Sequence, residues 1–108
     1  MKLPENFMKN TYRIIWSNVA LNNLKEIIYY LENRWTEAEI SNFVRLLDKR
    51  LASIERNPHL FPFIKHSKSI RRSVLSKQTT IYYQVIKHDI RLITLFDNRQ
   101  NPIRLKNL

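Results

Sequence analysis

The side chains able to do chemistry in this 108-residue chain are concentrated in its second half. Asp97-Asn98-Arg99-Gln100-Asn101-Pro102 is the most polar segment to follow an apolar run directly, and loops that leave a rigid element are where function concentrates. Arg99 is the leading candidate in it: it either contacts a partner or pairs locally with Asp97. Upstream, Arg71 and Arg72 are adjacent in a run rich in β-branched residues, so strand alternation sends them to opposite faces and they cannot both serve one site. Lys77 follows in a polar separator. Tyr82 and Tyr83 alternate in the same way, one packing inward and the other facing outward, where a ring can stack on a base or simply cover the sheet. The histidines His59, His66 and His88 fall in loops or turns with no visible partner and read as surface residues rather than general acids or bases.

Composition narrows the chemistry further. Cysteine is absent, which excludes disulfide frameworks, thiolate metal sites and cysteine nucleophiles. Glycine is absent too, and with it the phosphate-cradling loops that need a residue without a side chain. No metal or nucleotide cofactor is implied. The formal charge of +10 is unevenly spread: residues 1–57 hold nine basic and seven acidic residues, residues 58–108 ten basic residues and only Asp89 and Asp97. A field of that kind attracts polyanions, either nucleic acid or an acidic protein segment, and its alternative is a merely soluble basic surface. No apolar run is long enough to span a membrane and the opening MKLPENFMKN lacks a signal-peptide core, so a cytoplasmic protein is expected.

The elements that must position these groups can be read from periodicity. Tyr12 to Trp16 is a short β-branched and aromatic run that predicts a first strand. From Ser17, a plausible N-cap, Ala20, Leu24, Ile27, Ile28, Leu31 and Trp35 recur at helical spacing, with Glu26, Glu32 and Arg34 on the wet face. Thr36-Glu37-Ala38-Glu39 reads as a capping box that opens a second helix, whose seam is Ile40, Phe43, Val44, Leu47, Leu51 and Ile54 and which Asn57-Pro58 stops. Both seams are expected to be core, and the short link predicts an antiparallel hairpin. His59 to Ser69 has no period and is expected to tack down through Leu60, Phe61 and Phe63. Ile70 to Leu75, Thr80 to Ile86 and Ile90 to Phe96 then predict three strands in consecutive hairpins. Without glycine, Asp89 and its neighbours must supply the last tight turn. The expected fold is α+β, of order β-α-α-β-β-β: a single domain over 1–108, with a helical hairpin on one face of a four-stranded, mainly antiparallel sheet. Residues 1–10 form a lead-in and 103–108 a basic tail.

The helical hairpin after one strand, the helix end Glu55-Arg56-Asn57-Pro58, the strand Ile70-Arg71-Arg72-Ser73-Val74, the run Ile81-Tyr82-Tyr83-Gln84-Val85 and the ending Leu95-Phe96-Asp97-Asn98-Arg99-Gln100-Asn101-Pro102 together resemble the RelE/ParE superfamily of bacterial toxins, from about Tyr12 to Pro102. The resemblance implies the toxin of a type II toxin–antitoxin pair, silenced by a cognate antitoxin. It also implies one of two activities: poisoning of DNA gyrase by protein contact in the ParE-like branch, or metal-independent cleavage of messenger RNA on the ribosome in the RelE-like branch. Of the nuclease positions in that second branch, an arginine falls at Thr80, two lysines at Arg71 and Ser73, an arginine at Arg99 and a tyrosine near Leu105. Metal-free RNA cleavage needs a general base, cations for the phosphorane and a proton source, and Arg71, Arg72, Lys77 and Arg99 could supply only the cations. The ParE-like reading is therefore the expectation, with the nuclease as its alternative. Arg71, Arg72, Tyr82, Tyr83, Asp97, Asn98, Arg99 and Gln100 are the expected contacts with antitoxin or target.

Overall fold

The structure is a computed structural model that describes residues 12–99. Element order is β1 (Arg13–Trp16), α1 (Asn18–Arg34), α2 (Glu37–Arg56), β2 (Ile70–Val74), β3 (Thr79–Ile86) and β4 (Asp89–Asp97), as the sequence predicts. The four strands form one open sheet in the order β1-β4-β3-β2. β2–β3 and β3–β4 are antiparallel hairpin neighbours, while β1 joins β4 in parallel, which the long helical crossover between them makes possible. Among the described residues no helix is long and apolar enough to cross a membrane.

Local chemistry sets each boundary. The Ser17 hydroxyl accepts from the Ala20 backbone N–H (3.0 Å), capping α1, and donates to the Ile93 carbonyl (2.9 Å), so the cap also ties the helix start to β4. Thr36 caps α2 by accepting from the Glu39 N–H (3.3 Å), but the reciprocal half of the capping box does not form, and the Glu39 side chain turns toward a groove described below. α2 stops at Asn57, whose N–H bonds the Ser53 carbonyl, before the buried Pro58. In the β3–β4 turn the positive φ falls on Lys87 (55°) and not on Asp89. Asp89 instead opens β4, where its carboxylate takes a hydrogen bond from Arg13 Nε at 2.7 Å.

The core lies between the hairpin and one face of the sheet. Ala20, Ile27 and Leu31 of α1 and Leu47 and Ile54 of α2 meet Ile81 and Tyr83 of β3 and Ile90, Leu92 and Leu95 of β4. Each large aliphatic side chain buried there contributes about 1.5–3 kcal/mol. The helix seams are not core along their whole length: Trp35, at the hairpin tip, is 47% exposed, and Val44 is 41% exposed although Phe43 beside it and Ile40 nearer the tip pack against the core, which puts Val44 on the flank of α2. In the 59–69 loop only Phe61 packs against the core, whereas Leu60 is 64% exposed and Phe63 instead makes an isolated bridge to Arg71.

One irregularity decides what faces inward at the end of the sheet. Tyr82 pairs with Thr94 and Tyr83 with Leu92, so Ile93 is an extra residue in β4. The inward set is therefore Ile90 and Leu92 before the bulge, then Leu95 and Asp97 after it. Strict alternation from Ile90 would have turned Phe96 inward and left Asp97 in water. Asn23, buried on α1, holds the bulge by accepting from the Thr94 hydroxyl and from the Leu95 N–H (3.2 Å).

Candidate functional site

The bulge buries the Asp97 side chain to 2% exposure at the end of β4, and Arg99 folds back onto it. The carboxylate accepts from the Thr79 hydroxyl (3.1 Å), the Arg99 backbone N–H (2.9 Å), Arg99 Nε (2.8 Å) and the second guanidinium nitrogen. Burial works to raise the Asp97 pKa, but the hydrogen bonds from the side chain and backbone of Arg99 outweigh it and hold the carboxyl below its ordinary range. The same hydrogen bond raises Arg99. The guanidinium carbon of Arg99 also stands 5.4 Å from the centroid of the Tyr30 ring, which Arg34 approaches at 4.7 Å. Arg99 thus forms the local pair with Asp97 that its sequence position allows, and 21% of its side chain remains exposed.

Asn98 is at the same end of the sheet. Its N–H donates to the Gln78 carbonyl (2.7 Å) and its side-chain amide to the Lys77 carbonyl (2.9 Å), so the β2–β3 loop and the segment after β4 are stitched together. Lys77 itself points to solvent. Beside this corner is a groove of about 290 Å³ lined chiefly by Leu31, Trp35, Phe43 and Leu46, with Glu39 and Arg99 at its rim. Trp35 and Leu46, 47% and 40% exposed, give it an apolar floor open to a partner.

The structure does not bring Arg71 to this corner. Arg71 pairs with Tyr83, four β3 positions from the Thr79–Asp97 pair, or about 13 Å along the sheet. Its guanidinium donates to the carbonyls of His59 (3.2 Å) and Phe61 (2.7 Å) and stacks 3.9 Å from the Phe63 ring centroid, pinning the 59–63 loop. Arg72 lies on the opposite, open face of the sheet and is exposed. Tyr83 is the inward tyrosine: fully buried, its hydroxyl donates to the Pro58 carbonyl at 2.7 Å, and burial pushes its pKa up to about 12. Tyr82 shares the open face with Arg72 but is only 8% exposed, so its ring offers little area for stacking; burial raises its pKa and Arg72 pulls it back. Gln100 and Leu105 lie outside the described residues.

Sequence reasoning missed several polar ties. Arg50 of α2 donates to the Ser73 hydroxyl and the Val74 carbonyl, both at 2.7 Å, which binds the helix to the edge strand. Its place on the helix flank carries no signal for this, because the partner is 23 residues away. His59 and His88 also have a partner after all: the Tyr12 ring lies 6.1 Å from each, with its hydroxyl 3.4 Å from His59 Nε2. Among the described residues no group of histidines and carboxylates is arranged to hold a metal ion.

No protein-family model matches the chain, and no curated protein matches it by sequence. Its fold has relatives among solved structures. A chain of the chromosomal ParDE toxin–antitoxin system from P. aeruginosa superposes with a TM-score of 0.69 at 10% identity, over 82% of this chain and 97% of that one. The YoeB dimer from Staphylococcus aureus gives 0.56 at 16% identity, over 80% and 95%, and the E. coli DinJ–YafQ complex 0.51 at 14%, over 82% and 94%. The chain therefore has the fold of the RelE/ParE-type toxins, over nearly the full length of each of these neighbours.

Proposed function

We propose that this chain is the toxin of a type II toxin–antitoxin pair, ParE-like in action, which arrests growth through DNA gyrase and is silenced by a cognate antitoxin. The observation that carries the ParE-like side is the state of Arg99. A nuclease of this architecture needs that cation turned toward a scissile phosphate, and here the buried Asp97 holds it. Thr80 and Ser73 stand where further cations would be required, and Arg71 is spent on loop carbonyls. The likeness to a chain of a ParDE system supports the toxin–antitoxin setting. In this reading Arg72, Lys77 and Asn98 present polar contacts to the target or antitoxin, while Arg71, Tyr82, Tyr83, Asp97 and Arg99 shape the surface from within. The groove of Leu31, Trp35, Phe43 and Leu46 suits the apolar face of an antitoxin helix.

The second reading is a RelE-like, ribosome-dependent endoribonuclease. It is favoured by the solvent-facing Arg72 on the open sheet face, a free cation where RNA would lie. Pulse-labelling of DNA and protein synthesis within minutes of inducing the chain in a bacterial host separates the two. DNA synthesis stopping first supports the gyrase reading. Protein synthesis stopping first, with cleaved messenger RNA, replaces it by the nuclease.

A further inference from the structure

A second charged surface lies at the other end of the sheet from Arg99. An open depression of about 620 Å³ is lined by Arg13 of β1, the turn residues Lys87 and His88, and Asp89 and Arg91 of β4, with Ile86 as its apolar member. Arg13 pairs with Asp89 and Ile15 with Arg91 across the β1–β4 ladder, so Arg13, Asp89 and Arg91 all project from the open face. Asp89 is already neutralised by Arg13 at 2.7 Å, and that hydrogen bond lowers its pKa. The side chains of Lys87 and Arg91 are exposed and make no hydrogen bond to the described residues, although the charge of Arg91 also helps to lower the Asp89 pKa. Arg91 is also two strands from Arg72 on the same face, through Gln84 and Ile70, with a two-residue offset. That places the two arginines roughly 12 Å apart.

We propose that this corner, with Arg72, is a binding surface for the phosphate backbone of duplex DNA. The depression is less apolar than the groove beside Trp35, with Ile86 its one aliphatic side chain among three cations, a histidine and Asp89, so an acidic peptide would bury less apolar surface there than in that groove. Affinity must come from counterion release, which is how a nucleic-acid backbone is held. A single strand would need open aromatic rings for its bases to stack on. Tyr82 is buried, and the Tyr12 ring is flanked by His59 and His88. A duplex keeps its bases stacked within itself, and its major groove is about 12 Å wide, comparable to the separation of the Arg91 and Arg72 backbone positions on the sheet. The inference goes beyond growth arrest through gyrase and does not depend on it, since the binding belongs to the isolated chain.

The test is fluorescence anisotropy of a 20-base-pair DNA duplex titrated with the purified chain between about 50 and 200 mM salt. Lys87 has a positive φ, so it is replaced by asparagine, which tolerates that backbone, and Arg91 by glutamine. The pair Lys87→Asn/Arg91→Gln should keep the parent's melting temperature and weaken binding at least about tenfold, with the slope of log K against log salt shallower by about 1.8. Adding Arg72→Gln should remove about 0.9 more. The control pair Arg45→Ala/Lys49→Ala, exposed on α2, should bind within about twofold of the parent. Equal losses from the corner and control pairs would overturn the proposal, as would an unchanged slope. Polyglutamate or duplex RNA bound as tightly as DNA, with the same dependence on Lys87 and Arg91, would overturn it in favour of an acidic protein or an RNA partner.

Discussion

Replacing Asp97 by alanine tests whether the corner after β4 is held by its own ion pair. The side chain is 2% exposed and takes hydrogen bonds from Thr79 and from both the backbone and the guanidinium of Arg99. Removing one partner of a fully buried pair costs about 3–5 kcal/mol. The Arg99 side chain keeps 21% exposure, so once released it can swing into water and recover hydration. Asp97→Ala should therefore cost less, about 2–3 kcal/mol, and Arg99→Ala about 3–4 kcal/mol, because it leaves a buried carboxylate without its counter-charge, held only by the Thr79 hydroxyl and the backbone N–H of residue 99. For a domain of this size that is a fall in Tm of roughly 10–20 °C for Asp97→Ala. Thermal and urea unfolding of the two single variants and the double variant should give a coupling energy of at least about 1 kcal/mol. The pH dependence has a definite sign. The folded carboxyl binds its proton less tightly than the unfolded one, so its contribution is fully present above the unfolded value of about 3.9 and is lost as pH falls through the lower folded value. Asp97→Asn should remove that acid-side loss. An Arg99→Ala variant that melts within about 2 °C of the parent would refute the reasoning and return Arg99 to the free cations.

Tyr83→Phe should lose about 1–1.5 kcal/mol by leaving the Pro58 carbonyl unpaired, measured by urea unfolding. The same substitution should delete a tyrosine ionising near pH 12 from the ultraviolet titration; because the folded pKa is raised, its stabilisation is full below about pH 10 and fades as pH climbs toward 12. Asn23→Ala strands the Leu95 N–H beside the bulge and should cost about 2 kcal/mol, with faster exchange of that amide in hydrogen-exchange NMR. Leu46→Asp places a charge in the groove beside Trp35; if the proposed function holds, it should weaken binding of a cognate antitoxin at least about tenfold in calorimetry while lowering Tm by only about 5 °C.

Much of this molecule is legible in the chain because it rests on short-range rules. Ala20, Ile27 and Leu31 declare a helix face by their spacing, Ser17 and Thr36 declare caps, Asn57-Pro58 a stop, and the three β-branched runs their hairpins. Alternation alone separates Arg71 from Arg72 and Tyr82 from Tyr83. What local pattern could not reveal was the single extra residue at Ile93. A bulge exists only against a partner strand, so its register is a property of two strands at once, and here it depends on Asn23 and Ser17 reaching across from α1 and its cap. That one-residue slip turns Asp97 inward, draws Arg99 onto it and exchanges a solvent-facing cation for a partly buried ion pair. The sequence by itself determined which elements form and which residues are charged; the tertiary structure decided which charges remain free, because freedom depends on partners distant in sequence and adjacent only after folding.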